Sequence, residues 1–493
     1  MQRRHLLQAA TAATSLSLVS SRLCAQGAGL SPEMKTLSEY MAAAAARALP
    51  AEAAEHAKHH LIDTLAAIIS GAELPPGAAA KRYIQAQRAN HAGTGTGTST
   101  NGGGATVAAT SLTATPADAA LANGVMGHAD ETDDSHNASR SHPGCSVIPA
   151  ALAIGEEFGI NGAHFLRAVT LGYDVGTRVV MAMGGADYSY TSSHATHSIS
   201  GTFCATAAAA SAAGLDARQM RWALDYAAQQ ASGIVAWRRD TDHIEKAFVF
   251  GGMPARNGVT AALLVRAGWN GIDDIFTGAD NFFQAYAPQA QRARLIDKLG
   301  ERFEIVQTDI KKWTVGSPIQ GPLDGVEAIR NKRPFDADQV RRVTVRVAPS
   351  VAAVVDNREM PDINLQHMVA VMLQDKTASF HAAHDKPRMQ DAATLRERAK
   401  VQLVRDEELA KLLPVRITIV EIELTDGSIL TERISAVRGT PRNPMSRAEV
   451  IGKARDLIAP VLGRDSAARL IETVYAIETV QDVRALRPLL RRA

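Results

Sequence analysis

The chain has 493 residues, of which 46% are hydrophobic, 21% charged and 5% aromatic, with a formal net charge of +2. The length allows two or three domains around a large core, the composition is that of a globular protein, and the near-neutral balance gives no reason to expect a nucleic-acid partner. The three cysteines, with no CxxC or HExxH pattern, argue against a disulfide framework and a structural zinc site.

In chain order, residues 1–25 read as a targeting segment. Arg3 and Arg4 precede a mild apolar run to about Val19, and small residues follow near Ala25. This pattern predicts a Tat export signal, a mature protein starting near Gln26 and a periplasmic location. The apolar run is too short for a membrane span, so no membrane association is expected after its removal. Leu30–Leu49 and Ala51–Gly71 are Ala-rich with apolar residues at helical spacing. His56, His59 and His60 fall on the polar side of the second helix and are expected to be solvated. The run 91–104 is low in complexity and reads as a loop. Pro116–Met126 reads as a helix that delivers the next stretch.

That stretch, Asn123–Glu157, begins polar and ends apolar. His128, Asp130, Glu131, Asp133, Asp134, His136 and His142 fall within fifteen positions. A solvated loop does not need three imidazoles among four carboxylates, and a core helix would not tolerate them. A carboxylate can orient a neighbouring imidazole and raise its pKa, which suits proton transfer or metal binding. His142-Pro143-Gly144 then holds an imidazole at the entrance of an apolar helix over Val147–Ile154, introduced by Pro149.

The run NG-x-x-x-H-x-D-x-x-DDS…HPG-x-x-x-IPAALA resembles the signature of the MmgE/PrpD family, which contains 2-methylcitrate dehydratases, cis-aconitate decarboxylases and iminodisuccinate epimerases. Ser135 stands where that pattern usually has Thr. Further blocks follow in order: the helix with Gly172-Tyr173-Asp174, the run His194 to Phe203 before an Ala-rich helix, and Gln230-Ala231-Ser232-Gly233 followed by Lys246 and Gly251–Gly258. Lys311 matches a family lysine, but Gly316, Ser317 and Gln320 stand where the family has cationic positions.

From about Phe303 the texture changes. Val340–Val347, Val415–Leu424 and Ser428–Val437 alternate as strands, the last two joined by an Asp426-Gly427 turn. Asp362–Gln374 and Ala392–Val401 read as helices, as do Arg447–Leu462 and Ala467–Thr479; Gly184–Thr196 reads as a surface loop. The expected fold is mainly α. A large all-helical domain spans 26–302 and 446–493, and a smaller α+β lid of residues 303–445 is inserted before the C-terminal helical return.

The resemblance implies an enzyme that moves a proton at the carbon α to a carboxylate of a di- or tricarboxylate. A hydro-lyase of the 2-methylcitrate dehydratase kind leads, with epimerisation or decarboxylation as alternatives. A carboxylate-binding protein without turnover is the alternative of another class. The implied acid–base pair is His142 and His197, with Asp134 orienting one imidazole and Lys246 binding a substrate carboxylate. Ser135, His194, Lys311, Gln320 and Arg238 are the expected substrate contacts, and the family spacing leaves either His194 or His197 in the site. No cofactor is expected. The competing metal reading takes Asp130, Asp134 and His142 as ligands. A homodimer through the helical domain is expected.

Overall fold

The computed structural model describes residues 29–92, 104–413 and 415–492. The export segment and most of the low-complexity run lie outside the described residues. The fold is mainly helical with one four-stranded sheet, and it contains two large hydrophobic cores. The first core runs from Met34 through Ile310 and resumes from Met445 to Leu490. The second runs from Trp313 to Leu424. The chain thus changes core between Ile310 and Trp313, a few residues after the composition shift at Phe303.

Small side chains let the helices of the first core approach closely. Thr196–Ala212, SISG followed by an Ala run, is buried along nearly its whole length against Gly144–Phe158, Gly162–Met183 and Met253–Arg266. One close approach joins Gly124 to Gly251. A Cβ on Gly124 would lie 2.5 Å from the Gly251 carbonyl oxygen, and one on Gly251 only 2.1 Å from that of Gly124. Glycine alone fits such a contact, and it locks the end of Pro116–Gly127 against the helical turn Phe248–Gly252. Side-chain caps set the helix starts: Asn161 accepts from the His164 amide, and Asp216 forms a capping box with Gln219. Each such cap contributes about 1 kcal/mol.

Several expectations change. Helix Gly144–Phe158 starts at Gly144, so Pro149 lies inside it rather than introducing it. The supposed loop 184–196 contains a helix, Gly185–Thr191, entered through Gly184 at φ 118°. His59 and His60 are buried, at 7% and 0% exposure, because Ala51–Gly71 is a core helix enclosed on nearly all sides beyond its second turn.

A short pair, β1 (Ala105–Thr106) and β2 (Thr113–Ala114), lies on the helical domain. The lid sheet consists of β3 (Val340–Val347), β4 (Val401–Arg405), β5 (Thr418–Leu424) and β6 (Ile429–Ile434), in the order β4-β3-β5-β6. β3 and β4 are parallel, and the other pairs are antiparallel. β5 alternates buried and half-buried residues, and its buried face packs on helix Ser317–Lys332, which in turn packs on Leu365–Asp375. Val401, the first residue of β4, was expected to end a helix. Helix Ala392–Ala399 instead stops, and Val401 and Leu403 take up partners on β3. Two β-branched valines and a leucine in five residues favour that outcome.

The C-terminal return, Arg447–Leu462, packs on Ala51–Gly71 behind a Ser446–Glu449 capping box. Its Lys453 reaches Asp63 at 2.7 Å and donates to the Thr132 carbonyl at 3.0 Å. The last part of the chain thereby props up the acidic–histidine stretch.

Candidate active site

The acidic–histidine stretch leaves helix Pro116–Gly127 at His128 and enters the next helix at Gly144. Between them most side chains are buried, and the stretch from His128 to His136 is buried throughout. Asp133 is the hub. Its Oδ2 lies 2.9 Å from His128 Nδ1, and its Oδ1 lies 3.1 Å from His142 Nδ1 and 3.5 Å from Lys311 Nζ. Burial opposes the charge on Asp133, yet His128, His142 and Lys311 hold its carboxyl well below the usual range. A bond from each Nδ1 to one carboxylate fixes both ring orientations and leaves each Nε2 free. No described residue bonds either Nε2.

The rings gather around Phe250. His197 stacks on one side at 3.8 Å between centroids and His128 on the other at 4.3 Å; His142 lies at 5.4 Å, and Trp237 meets the ring edge-on at 4.8 Å. His142 and His197 are 5.3 Å apart, and His243 packs 5.2 Å from His128. Phe250 reaches this place through the π-helical turn Phe248–Gly252. Pro254, four residues on, has no N–H to offer the Phe250 carbonyl, so the ordinary helical bond cannot form. The Cys145 thiol approaches that freed carbonyl at 3.6 Å.

Burial favours the neutral form of His142, His197 and His243. It lowers the pKa of His142, with Asp133 opposing and Lys311 adding to the effect. It drives His197 and His243 well below the usual value, assisted by neighbouring imidazoles and Lys246. Neither ring nitrogen of His197 has a protein partner among the described residues. Beside them Lys246 pairs with Glu131 and lies over the rings of Trp237 and Phe250. Lys311 donates to the Glu131 carbonyl at 2.8 Å. Burial opposes the charge on Glu131, but Lys246 and Lys311 hold it well below the usual range.

The structure thus brings His142, His197, Lys246 and Lys311 into one place. The other candidate residues lie elsewhere. Asp134 does not touch His142: it accepts from Tyr173 at 2.5 Å and from the Gly144 amide at 3.1 Å, and it bonds His60 at 3.0 Å. The carboxylate on His142 is its neighbour Asp133. Gln320 spends its amide on the backbone of Trp313 and Val315, with no group left for a substrate. His194 bonds Tyr188 and packs on Tyr286, away from Phe250. Arg238 is exposed and lies over Trp237. Ser135 pairs through its backbone with Asp309, while its buried hydroxyl has no partner. The competing metal set is not assembled either, because Asp130 faces His384 at 3.0 Å while Asp134 and His142 are held by different partners.

His128, Glu131, Asp133, Trp237 and Phe250 are residues of the cluster to which sequence reasoning assigned no individual role. His128 and Asp133, five apart across a helix end, carried a readable signal. Phe250 carried only the Gly-Gly-x-Pro that follows it.

Two domain models of one family match in sequence: the MmgE/PrpD N-terminal domain over residues 35–294 and the MmgE/PrpD C-terminal domain over residues 313–479. A cis-aconitate decarboxylase-like protein, oryM, from Aspergillus oryzae is 25% identical over 473 residues, covering 90% of this chain and 94% of that protein. The matched N-terminal segment carries the histidine cluster and Lys246, and Lys311 lies just ahead of the C-terminal one. By these matches, which together take in most of the sequence, the chain belongs to the MmgE/PrpD family.

Proposed function

We propose that the protein is an enzyme that removes and returns a proton at the carbon α to a carboxylate of a di- or tricarboxylate. The observation that carries this reading is the pair His142 and His197: two neutral imidazoles, one aimed by Asp133, with free nitrogens beside the ammonium of Lys246. A neutral imidazole takes the α-proton, and the negative charge that develops on the substrate carboxylate is met by Lys246. The imidazolium then gives its proton to a departing hydroxyl, which amounts to loss of water. The same base and cation serve epimerisation if the proton returns to the other face, and decarboxylation if the electron pair comes from a C–CO₂ bond. Water loss from a 2-methylcitrate-like hydroxy acid is the outcome we favour. The name of the Aspergillus relative supports decarboxylation as the second reading.

The test is incubation of the purified protein in D₂O with a panel of di- and tricarboxylates, followed by NMR. Deuterium at the α-carbon that disappears in His142→Ala supports the reading, and the products separate loss of water from loss of CO₂. Binding without exchange for every acid in the panel would sink it and favour a carboxylate-binding protein.

We also propose Tat export to the periplasm, from Arg3 and Arg4, and a homodimer through the helical domain. Replacing both arginines by lysine and fractionating the cells tests the first. Light scattering at micromolar concentration tests the second.

A further inference from the structure

Two arginines at the seam between the domains have no part in the acid–base pair or its lysines. Arg140 belongs to the helical domain and Arg416 to the lid. Arg140 sits in the tight turn closed by the bridge between His136 and Ser141, in the left-handed region at φ 52°. That conformation is rare for a non-glycine residue and persists where the surroundings impose it. Its carbonyl accepts from the Thr196 hydroxyl at 3.0 Å, which fixes the turn against the residue before His197. Its guanidinium lies 4.8 Å from the centre of the Tyr190 ring. Arg416 stands two residues ahead of β5 and lines a small lid cavity with Ser317 and Val437. Both residues are half-buried, and among the described residues neither guanidinium has a hydrogen bond or an ion pair.

The two charges act on each other across the seam. Burial lowers the pKa of Arg416, and Arg140 adds to the effect while Asp309 and Tyr190 oppose it. Asp309 is already engaged: Asn137 donates to its Oδ2 at 2.6 Å, and burial pushes its carboxyl up to about 6, with Arg416 opposing. Arg140 also faces the acid–base pair. Burial, then His142 and Arg140, hold His197 well below its usual value. A guanidinium keeps its charge in a protein, and two like charges drawn out of water without a counter-charge are unfavourable. An anion supplies that counter-charge.

We propose that Arg140 and Arg416 form a second carboxylate subsite, one guanidinium from each domain, which takes the distal carboxylate of an acid whose reacting end lies at His142, His197 and Lys246. The subsite deepens the proton-transfer reading and rests on it for the position of the reacting end. A guanidinium forks onto a carboxylate with two N–H donors, where an ammonium offers a point charge, so the pair fixes the orientation of the acid as well as balancing its charge. Because Arg416 belongs to the lid, a carboxylate held between the two guanidiniums also ties the lid to the helical domain over the bound acid. The acid that fits carries at least two carboxylates.

The test is equilibrium binding without turnover. Propane-1,2,3-tricarboxylate, which has no hydroxyl to lose, is titrated into the purified protein by calorimetry, with propionate as the acid of one carboxylate. Arg140→Gln and Arg416→Gln should each weaken tricarboxylate binding about 10–100-fold, as loss of a charge-assisted hydrogen bond does. The double variant should lose less than the product of the two single losses, since both side chains grip one carboxylate. Arg416→Lys, which keeps the charge without the fork, should recover part of the loss. Propionate should bind the parent and the variants alike, and Arg433→Gln, at an exposed arginine of β6, should leave tricarboxylate binding unchanged. Parental affinity for the tricarboxylate in both folded variants, with circular dichroism verifying the fold, would overturn the subsite. So would equal losses for propionate and the tricarboxylate, or no saturable tricarboxylate binding by the parent. Deuterium exchange at the α-carbon is read separately: its absence beside arginine-dependent binding sinks the acid–base reading alone.

Discussion

Asp133 and Asp134 share a peptide bond and face opposite environments. Asp134 points into the helical core, where Tyr173, His60 and the Gly144 amide occupy its oxygens. Its partners lie away from the ring cluster: His60 is walled in at 0% exposure beside Tyr173 with its Nε2 unpartnered, and burial drives the Tyr173 phenol far above its usual value. Asp133 points the other way. It also takes several donors, but the imidazoles it holds, His128 and His142, pack on Phe250 beside His197, His243 and Lys246. An unpartnered nitrogen enclosed by core side chains has nothing to bind. The same nitrogen in a cluster of imidazoles beside an ammonium is poised for a ligand or a proton. The number of hydrogen bonds does not separate the two aspartates; what surrounds the imidazoles they hold does.

Three substitutions sharpen this contrast. The largest effect is expected on the Asp133 side. His142→Ala should lower kcat by ~10²–10⁴-fold, the usual loss for a general base, while the thermal midpoint stays close to that of the parent. A variant that retains near-parental turnover would remove His142 from the acid–base role. On the Asp134 side the pattern should invert. Asp134→Ala strands three donors in the core, each costing about 1–3 kcal/mol, so denaturant melts should show a loss of at least ~3 kcal/mol. Gln320→Ala is a milder case of the same kind. It frees the backbone of Trp313 and Val315 at a cost of about 1–3 kcal/mol, and KM should not move. A raised KM with unchanged stability would return Gln320 to the substrate.

The sequence revealed the fold class and the region of the site well, and the individual partners poorly. The Ala-rich helices, the alternating strands and the compressed run of His and carboxylate all follow from local pattern. Which of two adjacent aspartates meets His142 does not, because it depends on the turn of a loop between Gly127 and Gly144. His59 and His60 looked solvated for a related reason: helical spacing locates a polar side, but not whether another element covers it, and here Tyr475 lies against His59 while Asp134 and Tyr173 enclose His60. Phe250 was hidden by its π-turn, which breaks the periodicity on which sequence reading rests. Gln320 was misplaced because a family position was taken to keep its role after its charge was lost.

The smallest effect is expected at the seam between the helical domain and the lid, and it depends on pH. His384, on the lid helix Phe380–His384, lies 3.0 Å from Asp130 of the acidic–histidine stretch. Burial opposes its charge, but Asp130, Asp362 and the Phe380 carbonyl raise its pKa to about 9. The other acid facing it, Asp362, is pushed up to about 7 by burial, with His384 opposing and Glu131 and Asp130 assisting. An unfolded histidine titrates near ~6.5. Between that value and about 9 the folded protein holds the proton more tightly than the unfolded chain, so stability falls as pH rises through this window. The contribution is complete below the lower value and gone above the upper one. Because the ring is partly wet, the expected difference between pH 7 and pH 9 is on the order of 1 kcal/mol. His384→Gln should flatten that slope, with His381→Ala, an exposed neighbour, as the control. Denaturant midpoints taken at half-unit pH steps measure it. Parallel slopes in parent and His384→Gln would show that the pair does not couple the lid to the helical domain, and would leave Asp130 as a loop-forming residue bonded only to Thr132.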